Sequence, residues 1–304
     1  MKLWITITQA MKRILIPTDF SENALKAALY AGVVARKANA ALYLVHVIEP
    51  VDEKIHQPFP LHEKYLKETL HMRMREVESV KTIILNSHPE ITIETAVLSG
   101  DISATIAEFS GNNDIDMIIM GTKGATGLKE LLIGSVTSKV IGHSKFPVLA
   151  IPVDYQPEEP DGILFATNHF EKSNILLTPV IELAKLFFAK IYVIIFVDKE
   201  KKGAVEYMSD TRSLYNYLDY LRKTFPGVIF QGELLEGKDF EDAVNAYEEK
   251  NKLDIVSMIT YPKGFWEKIF KGSETKKMAI HSHIPVLAIP AGNIPGAEES
   301  LPML

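Results

Sequence analysis

The sequence predicts an α/β protein made of two tandem, doubly wound, five-stranded parallel sheets. Two observations carry that expectation. Short apolar runs alternate with longer amphipathic stretches, and the whole alternation occurs twice in the same order. Strands apolar through both faces are expected where helices cover both sides of a parallel sheet. A β-α-β-α order then places ligands beyond the carboxyl ends of the strands.

In the first copy Arg13–Thr18, Ala41–Val47, Ile91–Val97, Ile115–Gly121 and Val148–Ile151 read as strands, each short, apolar and rich in β-branched residues. Between them, Glu22–Ala38, Leu61–Asn86, Ile102–Gly111 and Ser135–His143 have the spacing of helices. The second copy repeats this order from Ile163 to Ile289.

The duplication is visible in matched anchors. Phe146–Pro152 reads FPVLAIP and Ile284–Pro290 reads IPVLAIP. Backward from there, Gly134-Ser135 falls on Gly272-Ser273 and Asp116 on Asp254. Nearer the start, Ile14–Asp19 falls on Ile163–Asn168, and Ala35 on Ala184. The register slips between the early and late anchors, most simply in Glu49–Leu61, a stretch rich in Pro and His. The expected organisation is an extension over 1–10, a first domain over 11–152 and a linker over 153–161. A second domain over 162–290 and a tail over 291–304 follow. Met11 is the expected start of the folded chain, and the linker holds Pro157, Pro160 and several acids.

Composition narrows the function. The 304 residues suffice for two domains, and 47% hydrophobic with 24% charged residues is an ordinary globular balance. A net charge of −6 gives no general pull toward nucleic acid or an anionic membrane. There are no cysteines, which removes disulfides, thiolate metal sites and thiol catalysis. No apolar run approaches the roughly 20 residues that cross a bilayer. A cytoplasmic location is expected.

The informative segment is Met120-Gly121-Thr122-Lys123-Gly124, continuing to Gly134-Ser135-Val136-Thr137. Gly121 and Gly124 follow a strand end, where a sharp turn and close approach to a ligand favour glycine. Gly134-Ser135 opens a helix whose unpaired N–H groups and positive dipole end suit an anion. The hydroxyls of Ser135 and Thr137 can donate to phosphate oxygens, and Lys123 can add a point charge. Asp19, after Pro17-Thr18, can accept hydrogen bonds from a base or ribose. Val47, ending the second strand, can cover a base face.

The pattern Gly-x-x-Gly, nine residues, then Gly-Ser resembles the ATP-binding signature of the universal stress protein family. The opening KRILIPTDFSENALKAALYA and the closing FPVLAIP resemble that family's first and last elements. The resemblance implies an adenine nucleotide alpha hydrolase-like sheet of strand order 3-2-1-4-5 with an ATP crevice. Positions matching Pro17, Thr18, Asp19 and Val47 would surround the adenosine. Those matching Met120, Gly121, Gly124, Gly134, Ser135, Val136 and Thr137 would surround ribose and phosphates, with Mg2+ held through the phosphates. Lys123 stands where family members vary.

In the second copy Gly121 becomes Ile259, Gly124 becomes Pro262, Asp19 becomes Asn168 and Val47 becomes Phe196. Val136 becomes Glu274, whose carboxylate in the first turn of the helix would repel phosphate. The second copy is therefore expected to be a partner domain that binds no nucleotide in the usual way.

Other chemistry finds little support. No GxxxxGK[ST], GxGxxG or GxSxG is present, so no catalytic residue is assigned. The nine histidines show no metal-ligand spacing. Glu63–Lys81 reads as the solvated face of a long helix, with Met72 and Met74 as packing residues. The leading expectation is a stress or signalling protein whose ATP changes its affinity for a protein partner. Its copies are expected to pair within the chain through Val148–Ile151 and Val286–Ile289, with a homodimer also compatible. The alternatives are a nucleotide-free structural dimer module or an adenylating ATP-pyrophosphatase. The latter is disfavoured because PTDFSENA lacks the glycines of an SGGxDS loop.

Overall fold

The computed structural model describes residues 11–49, 59–122, 134–156, 158–167, 169–198, 203–238, 240–261 and 283–292; for residues 59–66, 204, 241 and 249 it describes the backbone alone. The chain divides into two compact units, one formed by Lys12–Glu158 and one by the residues from Glu159 onward.

In the first unit β1 (Arg13–Pro17), α1 (Glu22–Ala38), β2 (Ala41–Ile48), α2 (Phe59–Ser87) and β3 (Ile93–Ser99) come first. They are followed by α3 (Ile102–Asn112), β4 (Met117–Gly121), α4 (Ser135–His143) and β5 (Val148–Ile151). The strands lie in the order β3-β2-β1-β4-β5, and every neighbouring pair is parallel. That is the expected 3-2-1-4-5 order. Ile14, Leu15 and Ile16 of β1 are fully buried on both faces, as a central strand between two helical layers requires.

The second unit holds β6 (Gly162–Ala166), α5 (Asn174–Phe187), β7 (Lys190–Asp198), α6 (Ala204–Thr224) and β8 (Phe230–Gly237). Then come α7 (Phe240–Asn251), β9 (Ile255–Thr260) and β10 (Val286–Pro290). Its order β8-β7-β6-β9-β10 is again parallel throughout and reproduces the first unit's topology. Its core gathers Leu164, Ile194, Val244, Tyr247, Val256 and Val286.

α1 shows how local chemistry sets an element. Ser21 caps it, its hydroxyl accepting from the Ala24 N–H at 3.2 Å. It ends at Asn39, left-handed at φ 51°, whose N–H reaches the Ala35 and Arg36 carbonyls. Asn39 is matched in α5 by Phe188, also left-handed (φ 57°) but 91% exposed. A phenylalanine gains nothing there from packing and carries the steric cost of that conformation. Phe188→Asn is therefore expected to stabilise the second unit by about 1 kcal/mol. An unchanged urea midpoint would contradict this.

The two aspartate anchors have one job. Asp116 accepts the backbone N–H groups of Lys12 and Arg13 at 2.7 and 2.9 Å. Asp254 accepts those of Asp161 and Gly162 at 2.8 and 2.9 Å. In each unit a carboxylate beside the fourth strand thus ties down the start of the first.

Some boundaries differ from expectation. β4 begins at Met117 rather than Ile115, because the Ile115 N–H turns back to the Ser110 carbonyl after α3. β3 runs Ile93–Ser99 rather than from Ile91 to Val97, its entry turned by the Ile91 N–H bonding back to His88. Met72 and Met74 are not packing residues. They are exposed, and among the described side chains of α2 the buried stripe runs through Val77, Val80 and Ile84.

Candidate functional site

A cavity of about 370 Å³ opens in the first unit beyond the ends of β1, β2 and β4, beside the start of α4. Pro17, Thr18, Asp19, Val47, Met120, Gly121, Gly134, Ser135, Val136 and Thr137 all line it. Lys123 and Gly124 lie outside the described residues. Ala24, Val45, His46, Glu49, Ile102 and Ile106 complete the wall. His46 and Glu49 flank Val47 at one strand end, and Ile102 and Ile106 are one helical turn apart, so strand and helix spacing carried a usable signal for them.

Thr18 is the hub of the wall. Its N–H donates to the Val45 carbonyl at 2.8 Å, and its hydroxyl accepts the Phe20 N–H at 3.1 Å. Its carbonyl oxygen lies 2.7 Å from His46 Nδ1. A carbonyl only accepts, so Nδ1 carries the proton. Burial pushes His46 below its usual range; the Thr18 carbonyl raises it, Arg73 lowers it, and Glu76 and Asp19 raise it. Next to this hub Asp19 accepts the Ser21 N–H at 3.0 Å and presents its exposed carboxylate to the cavity.

At the other end α4 begins behind Gly134, a cap with no side chain to occupy the first amides, and its first turn holds no acid. Ser135 and Val136 are exposed there. Apolar walls of Val45, Val47, Ile102, Ile106 and Met120 suit a flat base, Asp19 a ribose or base donor, and the α4 amides phosphate. The residues present therefore fit an adenine nucleotide. Among the described residues no group of three or more His, Asp or Glu side chains is placed to hold a metal ion.

Two roles change. Gly121 is buried as the last residue of β4, and a Cβ there would meet Asn23 Oδ1 at 2.6 Å and Cγ at 2.8 Å. Asn23 is itself buried and donates to the Ile151 carbonyl at 3.0 Å. Glycine is thus required by α1, which crowds the strand. Thr137 is buried and donates to the Gly121 carbonyl at 2.8 Å, pinning α4 to β4. The expected donation of that hydroxyl to phosphate is replaced by this bond.

Among the described residues, the corresponding place in the second unit carries bulkier side chains. Phe196 and Phe240, which match Val47 and Ile102, pack edge to face with centroids 5.3 Å apart. Ile259, matching Gly121, is buried. Helix α5 starts at Asn174, three residues later than α1 by the matched anchors, and the freed Glu171 turns inward to 8% exposure. Its carboxylate accepts the hydroxyls of Thr167 and, at 2.9 Å, Tyr261, while its carbonyl accepts the Tyr217 hydroxyl at 2.6 Å. Burial first, then the Glu171 charge, raises Tyr217 and Tyr261 well above the ordinary tyrosine range. Asn168, Pro262, Gly272, Ser273 and Glu274 lie outside the described residues.

A doubly wound parallel sheet with an open cavity beyond its strand ends defines the class of fold. Comparison with known proteins narrows it. The sequence model described as the universal stress protein family matches residues 11–152. A universal stress protein of Methanocaldococcus jannaschii is 33% identical over 144 residues, spanning 46% of this chain and 81% of that protein. One of Thermus aquaticus is 29% identical over 140 residues, spanning 46% of this chain and 98% of that protein. The crystal structure of a universal stress protein from Archaeoglobus fulgidus superposes with a TM-score of 0.62 at 20% identity, covering 93% of this chain and 97% of that one. The chain belongs to the universal stress protein family. Among the described residues no helix is long and apolar enough to cross a membrane.

Proposed function

We infer that the chain is an ATP-binding stress-response or signalling protein, with the nucleotide held by the first domain. The observation that carries this is one cavity joining the apolar slot around Val47, the Asp19 carboxylate and the uncapped start of α4. Mg2+ enters with the phosphates. The second domain, with Phe196 and Phe240 packed together where the first has Val47 and Ile102, is the pairing partner and takes no nucleotide. The domain limits are 11–152 and 162–290, and pairing within the chain uses the final strands of the two domains. Bound ATP changes the order of the crevice and thereby the affinity for a protein partner. The setting is cytoplasmic.

The test is the adenine nucleotide released on denaturing protein purified without added ligand, followed by calorimetric titration with ATP and magnesium. One ATP per chain is expected. Ser135→Glu, an exposed change that puts a carboxylate beside the α4 amides, should weaken ATP at least about tenfold. Two nucleotides per chain would refute the asymmetry. No uptake at all would favour the nucleotide-free structural module.

A further inference from the structure

We propose that His46 is a positioning residue for the nucleotide: by donating from Nδ1 to the Thr18 carbonyl, it holds the turn after β1 so that Asp19 faces the cavity. This rests on the nucleotide reading of that cavity.

The Asp19 carboxylate accepts the Ser21 N–H at 3.0 Å. The backbone is held on either side of it as well. On one side the Thr18 carbonyl is bound by His46 at 2.7 Å. On the other, Phe20 is in the left-handed region at φ 65°, a conformation that carries a steric cost for a bulky residue. His46 packs against it there. The Phe20 and His46 ring centroids are 4.5 Å apart, and the Arg73 guanidinium lies 5.6 Å from the Phe20 centroid on the ring face. Arg73 is itself anchored to Glu76 at 2.8 Å. The imidazole therefore touches the turn twice, by a hydrogen bond before Asp19 and by its ring face after it.

The second unit supplies an internal contrast. Where His46 stands in the first copy it has Ile195, which is buried and has no side-chain donor for the matching Thr167 carbonyl. There the Thr167 hydroxyl accepts the N–H groups of His169 and Phe170 and donates to Glu171, and the turn folds inward. The copy with the histidine has an open crevice. The copy without it has a turn that closes on itself.

The experiment is a double-mutant cycle on the full chain, reading ATP affinity by calorimetry. His46→Phe keeps a ring against Phe20 but removes the donor; Asp19→Ala removes the carboxylate. Each alone should weaken ATP about tenfold, roughly the worth of one ordinary hydrogen bond, and the double variant should be no weaker than either. His46→Asn, which keeps an N–H near the Nδ1 position, should restore most of the affinity. If the two losses multiply, or if His46→Phe binds ATP as the wild type does, the proposal is overturned while the nucleotide reading stands. Failure of the wild-type chain itself to bind ATP overturns both. Should the phenylalanine variant not fold, His46→Val enters the same cycle with the same expected outcomes.

Discussion

Gly121→Ala is expected to destabilise the first unit by roughly 1–3 kcal/mol, although it adds a single methyl group. The added Cβ would fall 2.6 Å from Asn23 Oδ1 and 3.1 Å from the Asn23 backbone carbon. Asn23 cannot simply swing aside, because its side-chain amide is bound to the Ile151 carbonyl. Asn23→Ala alone should also cost stability, since that carbonyl loses its side-chain donor and keeps only the Thr122 N–H. In the double variant the two costs should fall short of their sum, because the truncated side chain no longer meets the new methyl. Urea unfolding of the four proteins gives the coupling directly. Simple additivity would mean that the Asn23 side chain is not what makes glycine necessary. Gly121→Ile is for the same reason a poor probe of ligand binding.

Glu171→Ala is the second large effect, expected to cost the second unit about 2–4 kcal/mol. The carboxylate is the acceptor for the Thr167 and Tyr261 hydroxyls, and alanine leaves both without it. Glu171→Gln, which retains one oxygen, should cost less. A distinct signature lies at alkaline pH. Tyr217 and Tyr261 are raised above the usual tyrosine value in the folded chain, so the stability they contribute is intact below about pH 10 and is lost as pH rises further. Burial and then the Glu171 charge cause the rise in both tyrosines. Removing that charge should therefore let tyrosine absorbance titrate at lower pH than in the wild type. An unchanged titration with unchanged stability would show that the buried carboxylate is energetically idle.

The strands, the repeat and most of the cavity wall were legible in the sequence because their signals are local or periodic, whereas the sheet order came only with the family resemblance. Apolar runs mark the strands, and matched anchors mark the copies. Residues at strand ends converge by topology alone, which is why Asp19, Val47 and Met120 could be placed together. The reasons behind particular residues were less visible. Nothing near Gly121 announces that Asn23, almost a hundred positions earlier, decides its identity. Thr137 reads equally well as a phosphate donor or as a strap to β4, and only the 2.8 Å bond to Gly121 separates the two. The inward turn of Glu171 depends on a left-handed Phe170, a late helix start and a tyrosine ninety residues away. Pairwise substitutions such as Val47 to Phe196 suggested a lost site. The opposing ring from Phe240, which packs on Phe196, is visible only in the structure.

The paired carboxylates Asp116 and Asp254 have an evolutionary consequence. Each clamps its sheet at the amino ends of the strands, whereas everything that differs between the two crevices is at the carboxyl ends. Alignment of the central strands is thus secured at the end of the sheet opposite the cavity. One copy can exchange its glycine, its histidine and its helix start for bulky, self-satisfied side chains, and the strands still find the same neighbours. A duplicated gene segment of this design can drift in chemistry at one rim without risking the architecture at the other.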